Sequence, residues 1–262
     1  MRRLAFPLIA LIGLGGPGAC LKVPDELTDE PEGTQAAPST AGEVMSRYVE
    51  GTGGEKALRA LPARSIEARM IIKAQEGCAE DDQTCLAEDQ VGSFLLRTTA
   101  DGKLYRRTVL GENVEEKGYD GKVGWQLSGG ILRVESDAEL ELSREDAVLH
   151  WYFDLTERGI EIALARPRKE DSEGKITTLD GVNWSLADSG GSPKTMWFDR
   201  ATGLLREEIV EEGEGDQLQR QVIVYDDYRD IDGIKVPHLI RVTNQVGDQS
   251  QIVEFVTTRV DH

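Results

Sequence analysis

Histidine and cysteine, the side chains on which many metal sites and catalytic centres depend, are scarce in this sequence, with three of each among 262 residues. The histidines, His150, His238 and His262, are widely separated along the chain, and none is spaced to complete a metal site with cysteines. The sequence also contains no Gly-x-Ser-x-Gly, His-Glu-x-x-His or glycine-rich phosphate loop. These absences predict a chain that is not an enzyme and has no resident cofactor or metal.

Positive charge is also in short supply, because 30 lysines and arginines are outnumbered by 48 aspartates and glutamates, for a formal net charge of −18. Phosphate binding requires clustered cations, so nucleic acid is excluded as a partner. Anionic lipid headgroups are repelled for the same reason. Membrane association is therefore expected to depend on an attached acyl chain or a buried apolar site.

The longest apolar run, residues 4–14, is too short to span a bilayer. It follows Arg2 and Arg3 and precedes the small residues Gly18 and Ala19, which predicts a cleavable signal peptide over residues 1–19. The Gly18-Ala19-Cys20 sequence resembles the lipobox of bacterial lipoproteins, which implies acylation of Cys20 by chains such as palmitate. Leu21 stands where an aspartate would retain such a protein at the inner membrane, which favours the outer membrane, facing the periplasm. An ordinary secretory signal cut nearby is the alternative.

The remaining cysteines, Cys78 and Cys85, lie seven positions apart in a polar stretch. An exported chain meets an oxidising compartment, so we expect a local disulfide between them. Residues 20–40 contain prolines and acids but few large apolar side chains, and they are predicted to form a flexible linker after the lipidated cysteine. Residues 41–262 then form one domain.

Periodicity within this domain predicts helices first and strands afterwards. Helical spacing covers residues 42–50 and 55–61, and alternation indicates strands at 64–74, 91–99 and 103–110. Dipeptides and a short segment that favour hairpin turns follow, namely Asp101-Gly102, Asp120-Gly121, Asp180-Gly181, Asp232-Gly233 and residues 199–204. The middle of the chain is therefore predicted to be a meander of antiparallel strands.

Residues 136–157 interrupt this meander, because they lack glycine and proline and carry apolar residues at helical spacing. Ser136 and Asp137 are candidate N-caps for the predicted helix. The predicted strands at 123–127, 182–186 and 234–243 are apolar on one parity only, with Trp125 and Trp184 each central in an apolar set. The sequence thus predicts a mainly β, α+β fold, with a curved antiparallel sheet of about 10–11 strands and helices against its concave face. This face is either filled or left as a cavity.

Individual polar residues favour structural roles over catalysis. Asp226, Asp227 and Asp230 could supply acid and base or bind calcium, but neighbouring strand residues point to opposite faces, so solvated strand ends are the stronger interpretation. His238 lies on an apolar parity and is expected to be a hydrogen-bonded residue of the core or cavity rim. His150 is expected to pack or to face solvent.

Several segments together resemble the outer-membrane lipoprotein-sorting (Lol-type) superfamily of carriers and receptors. They are the helix that ends at Gly53-Gly54, residues 118–125, the hairpin at 197–205, and residues 225–238 with Tyr228, Arg229, Asp232-Gly233 and Pro237 in that order. The resemblance implies a half-open antiparallel β-barrel closed by a helical lid, with acyl chains or another apolar ligand in its cavity. It assigns no catalytic residue, and the soluble carrier's cavity arginine has no counterpart that the sequence identifies.

These observations predict a lipid-anchored cell-envelope protein that binds a hydrophobic ligand, an acyl chain or a lipoprotein, without catalysis. Trp151 is a candidate for the lid, although core packing is the simpler interpretation. The candidate cavity-lining residues are Trp125, Trp151, Trp184, His238 and Ile240. The alternative is a structural or protein-interaction lipoprotein with a filled core and an envelope protein partner, and an envelope hydrolase ranks third.

Overall fold

The computed structural model describes residues 36–75, 86, 88–172, 174–186, 193–213, 218–247 and 249–262. The predicted signal peptide, the lipidation site Cys20 with residues 21–35 of the linker, and the predicted disulfide between Cys78 and Cys85 lie outside the described residues. These assignments remain predictions.

Within the described residues, three helices precede or interrupt the strands, namely α1 (Ala41–Thr52), α2 (Glu55–Arg59) and α3 (Asp137–Asp146). The N-terminus of α1 is capped by Thr40, whose hydroxyl oxygen accepts the N–H of Glu43 at 3.1 Å. Gly53 ends α1 at a positive φ of 151°, which confirms the Gly53-Gly54 stop. The predicted helices at 42–50 and 55–61 are thus confirmed within two residues at each end.

The strands in the described part of the chain form one antiparallel sheet of thirteen, rather than the 10–11 that were expected. They are β1 (Ala63–Ile72), β2 (Gln90–Thr99), β3 (Leu104–Leu110), β4 (Asn113–Tyr119), β5 (Gly124–Ser128), β6 (Ile131–Val134), β7 (Ile160–Ser172), β8 (Lys175–Leu186), β9 (Lys194–Asp199), β10 (Leu205–Glu212), β11 (Gln219–Ile231), β12 (Ile234–Val246) and β13 (Gln249–Asp261).

The strand order is β6-β5-β4-β3-β2-β1-β13-β12-β11-β10-β9-β8-β7. The sheet therefore consists of two meanders, joined where β1 pairs with β13 at the opposite end of the chain. It is curved and does not close, so the predicted half-open barrel is confirmed. We call the face that packs against the helices the inner face and the other the outer face.

The inner face carries three groups of buried apolar residues. The α1 cluster joins α1, α2 and residues 151–155 to β8, β9, β10 and β12. The α3 cluster is small and contains Leu104, Tyr119 and Ala147. Between them lies the central cluster, formed by Ala68, Met70, Ile72, Ile223, Val242, Val253 and Phe255.

Two of the predicted elements require correction. The helix predicted over residues 136–157 ends at Asp146, and Asp154 and Gly159 adopt positive φ values of 54° and 69° in the turns that follow. The chain leaves the helix, and the rings of Trp151, Tyr152 and Phe153 pack on the α1 cluster instead of continuing the helical spacing.

The Asp180-Gly181 dipeptide lies inside β8 and is not a hairpin turn. Gly181 is needed for packing, since a Cβ there would lie 2.7 Å from Cζ3 of Trp197 on the neighbouring strand. The hairpin turns predicted at Asp101-Gly102, Asp120-Gly121, Asp232-Gly233 and residues 199–204 are confirmed.

Candidate functional site

Trp151 and Trp184 meet on the inner face within an aromatic group built around Tyr48 of α1. The ring centroids of Trp151 and Trp184 are 5.7 Å apart, and that of Trp151 is 5.4 Å from Tyr48. Tyr152 and Phe198 also contact Tyr48 edge-on, at 5.5 and 5.4 Å. These rings fix α1 to the sheet, because aromatic pairs in this geometry contribute beyond their buried area.

His238 and Ile240 follow one another on the inner face of β12. His238 is buried, and its Nδ1 lies 3.0 Å from the carbonyl oxygen of Val236, so the ring is satisfied within its own strand. Ile240 is half-buried against the central cluster and lies opposite Phe255 of β13. His238 therefore holds a hydrogen-bonded position in the core, and Ile240 belongs to the apolar centre of the sheet.

Trp125 lies on the outer face and is separated from the other four candidates. Tyr119 and Gly124 pair on the inner side beneath α3, so the adjacent Trp125 points outwards and lies over Gly118 of β4. A Cβ on Gly118 would lie 2.4 Å from the Trp125 ring. The ring centroids of Trp125 and Tyr105 are 6.4 Å apart. The apolar residues of the 123–127 segment therefore face outwards. The prediction that Trp125 lines a cavity on the inner face is wrong.

Arg64 is a charged residue on the inner face that the sequence analysis did not select. It occupies the parity of Ile66, Ala68 and Met70 in β1 and pairs with Thr98 of β2. Its Nε and Nη2 atoms are buried and have no hydrogen-bond partner among the described residues. The sequence does contain a signal for Arg64, because it starts the apolar parity of β1. An arginine at such a position is rare unless it has a partner or a function.

Arg64 acts electrostatically on Tyr152, His150 and His262. Burial raises the pKa of Tyr152 to about 12, and the positive charge of Arg64 opposes that rise. Burial also lowers the pKa of His150 and of His262, and the charge of Arg64 adds to both effects. Both imidazoles therefore favour the neutral form, and neither adds a second positive charge beside Arg64.

The contact between α3 and the sheet is mostly polar. Lys117 of β4 lies with its Nζ 3.1 Å from Oδ2 of Asp146 and 3.8 Å from Oε1 of Glu135. Ser143 of α3 donates to Glu135 at 2.5 Å, and Gln126 of β5 donates to the same carboxylate at 2.9 Å. Burial raises the pKa of Asp146 although the charge of Lys117 opposes the rise. This helix therefore depends on buried charges and on a small apolar cluster.

A pocket of about 280 Å³ lies beside α1, away from the apolar inner face. It forms where the backbones of α1 and the β9–β10 turn come close, since a Cβ on Gly51 would lie 2.2 Å from the carbonyl oxygen of Thr202. Its walls are Ser46, Arg47, Glu50, Gly51, Thr202 and Gly203. None of these residues has a large apolar side chain that could pack along an acyl chain.

The other residues considered for chemistry have structural partners. Asp226 accepts from Arg206 at 3.1 Å, Asp227 pairs with Arg229 at 2.6 Å, and Asp230 accepts the N–H of Gly233 at 2.9 Å. Within the ranges given above, no three histidine, cysteine or acidic side chains converge as metal ligands would. Those ranges also contain no helix with the length and hydropathy needed to cross a membrane.

No protein-family model and no curated protein matches the sequence. Solved structures do resemble it. A LolA superfamily protein from Nitrosomonas europaea superposes with a TM-score of 0.57 at 9% identity, over 86% of this chain and 94% of that one. A putative outer membrane lipoprotein-sorting protein domain from Vibrio parahaemolyticus gives 0.50 at 11% identity, over 84% and 92%. A DUF1329 family protein from Desulfovibrio piger gives 0.53 at 13%, over 84% and 92%. The chain thus shares the fold of LolA-type lipoprotein-sorting proteins.

Proposed function

We propose that this chain is a lipid-anchored, non-catalytic protein of the cell envelope that binds an amphiphile with an acyl chain against the inner face of its sheet. Residence at the outer membrane, facing the periplasm, through acylated Cys20 is part of the proposal. Support comes from the shared fold, from the scarcity of catalytic constellations in the sequence, and from the chemistry of the inner face.

The observation that supports this proposal most strongly is the position of Arg64 at the end of an apolar surface. An acyl chain with a carboxylate, ester or phosphate head requires apolar surface beside a hydrogen-bond donor. Along β1, Arg64 is followed on the same face by Ile66, Ala68, Met70 and Ile72, which lead into the central cluster. The Nε and Nη2 groups of Arg64 would donate hydrogen bonds to the polar head, which would remove the cost of leaving these buried donors without a partner.

Access to this surface requires an element of the inner face to move, because the central cluster is buried. The helix α3 is better suited to move than α1. The helix α1 is fixed by the aromatic group around Tyr48, whereas α3 depends on Lys117, Glu135 and Asp146, whose charges water can solvate when the contact opens.

The decisive experiment compares a fluorescent fatty acid with the corresponding fatty alcohol. Arg64→Gln should weaken binding of the fatty acid about tenfold and leave the alcohol nearly unchanged, because only the carboxylate gains from the guanidinium charge. Arg69→Gln is the matched control, since Arg69 lies on the same strand with the opposite parity and is exposed. Titration of probe fluorescence measures both affinities.

Native mass spectrometry of the chain extracted from its own envelope supplies a second measurement, which is expected to show bound lipid. A reproducibly empty chain that also binds neither probe would contradict the proposal. The tightly packed α1 cluster favours one alternative, a protein-interaction lipoprotein with a filled core. Crosslinking to a single stoichiometric envelope partner, without lipid, would support that alternative.

A further inference from the structure

The two edges of the sheet differ in a way that points to a docking surface. The β7 edge contains Pro167 among charged residues, and its register shifts between Ala165 and Arg168. Proline, charge and register shifts are the devices by which edge strands avoid pairing with other chains. The β6 edge is short, with four residues, but it has one arginine and no proline or register shift, and its aliphatic residues Ile131, Leu132 and Val134 are 73%, 65% and 70% exposed.

The backbone of β6 is open to a further strand. Gly129 and Gly130 form the two-residue turn from β5, with φ values of 57° and 78°, and the N–H of Glu135 donates to the carbonyl of Gly124 at 2.9 Å. Hydrogen bonds alternate along such a hairpin, so Ile131 and Arg133 bond to β5 as Glu135 does. The N–H and C=O groups of Leu132 and Val134 therefore point away from the described sheet.

The side chains at this edge form an apolar strip on the outer face. Val134 lies opposite Trp125 and Leu132 lies opposite Leu127, so the exposed edge continues into the tryptophan that covers Gly118. Exposed aliphatic residues beside an indole ring, with free backbone groups, are the components that bind an extended peptide by strand addition.

The inner side of the same edge is acidic. The helix α3 begins directly after β6 and contains five acidic residues and one arginine. Arg133 of β6 pairs with Glu139 at 2.6 Å, and Arg144 pairs with Glu141, whose side chain is 68% exposed. The five acidic residues of α3 still outnumber these two arginines. A strand added beside β6 would therefore meet apolar side chains on one face and carboxylates on the other.

We propose that the β6 edge binds an extended segment of another protein that alternates apolar with basic residues. The apolar residues would pack beside Leu132 and Val134, and the basic residues would lie towards α3. A second copy of this chain is a poor occupant, because pairing would bring two acidic α3 helices together on molecules of net charge −18. This surface is separate from Arg64 and the inner face, so the proposal is independent of lipid binding.

Two short synthetic peptides test the proposal on the full-length chain, one alternating valine with lysine and one alternating valine with glutamate. The lysine peptide should bind at least about tenfold more tightly than the glutamate peptide, and it should slow hydrogen exchange at the amides of Leu132 and Val134. Leu132→Thr should weaken this binding about tenfold. Ile176→Thr, at an exposed isoleucine of β8, should leave it unchanged and is the matched control.

Leu132→Pro provides the backbone test, because its outward N–H is lost while the bonds to β5 remain. Binding of the lysine peptide that is equal in wild type, Leu132→Thr and Leu132→Pro would overturn the proposal, as would no binding of either peptide. Concentration-dependent dimerisation that Leu132→Thr abolishes would assign the edge to a second copy. Partition onto phosphatidylcholine vesicles that Leu132→Thr abolishes would assign it to a membrane surface. Either result contradicts the proposal.

Discussion

Asp180 and Arg200 show how single residues stabilise this molecule from positions that local sequence does not reveal. Their side chains are 5% and 3% exposed, and the guanidinium group donates to the carboxylate at 2.7, 3.1 and 3.2 Å. The pair connects the interior of β8 to the turn after β9. Because the Asp180 carboxylate is shielded from water, hydrogen bonds from Arg200 and from nearby donors must stabilise its charge.

Asp180→Asn is expected to lower the free energy of unfolding by about 3 kcal/mol or more, because it removes the charge of a buried carboxylate that accepts three hydrogen bonds from the Arg200 guanidinium. Asp226→Asn is the control, since Asp226 pairs with Arg206 at 3.1 Å and its side chain is 53% exposed. Its effect should stay below about 1 kcal/mol. Urea unfolding of both variants measures the difference, and equal losses would contradict the assignment.

At the scale of elements, the clearest local signal is the capping box of α3. The hydroxyl oxygen of Ser136 accepts the N–H of Glu139, and the Glu139 carboxylate accepts the N–H of Ser136 at 2.9 Å. Arg133 first, and then Ser136, lower the pKa of Glu139 to about 2. The start of α3 was therefore predictable from Ser136, whereas its end was not, because it depends on aromatic packing elsewhere.

Glu139→Gln should remove a pH-dependent part of the stability. Because the folded-state pKa is lowered, the charge of Glu139 stabilises the fold above about pH 4.5, and this contribution is lost as the pH falls towards about 2. The variant should lose about 0.5 kcal/mol at neutral pH, and its difference from wild type should vanish in acid. Unfolding free energies over this pH range measure the effect.

Glu141→Gln provides the comparison on the same helix. Glu141 is exposed and pairs with Arg144 one turn away, not with the helix N-terminus. A pH-dependent loss in this variant equal to that of Glu139→Gln would show that the charge of α3 as a whole, and not the cap, is responsible.

At the scale of the whole molecule, charge and topology act together. The chain carries a net charge of −18, and its two meanders are joined where β1 pairs with β13. Contacts between opposite ends of a chain form slowly during folding, and exposed strands are then open to other chains. The surplus of negative charge keeps such chains apart in solution and also repels anionic membranes.

Attachment to the envelope should therefore depend on Cys20. Cys20→Ala is expected to move the protein from the membrane fraction to the soluble fraction, because an acidic surface provides no other strong attraction to lipid. Cys78→Ala combined with Cys85→Ala should leave the protein with the membrane. Fractionation followed by immunoblotting measures both, and retention of the Cys20→Ala variant would contradict the proposed anchor.

The sequence by itself determined the local features of this fold, since these depend on neighbouring residues. Thr40, Gly53 and Ser136 mark helix ends, Asp101-Gly102 and Asp232-Gly233 mark turns, and alternation marks the strands. A one-sided sheet with helices on its concave face followed from these signals. The half-open barrel followed from the resemblance of longer segments to a known superfamily.

Only the tertiary structure decided which face each parity occupies and which buried charges meet. Trp125 and Trp184 have similar sequence patterns but lie on opposite faces, because Gly124 must admit Glu135 and α3 on the inner side. The dipeptide Asp180-Gly181 resembles a turn but lies in a strand, because Arg200 and Trp197 pack against it from β9 and the turn that follows. Arg64 likewise became a candidate only when its neighbours were known. Such outcomes depend on residues far apart in the chain, whose approach no local pattern encodes.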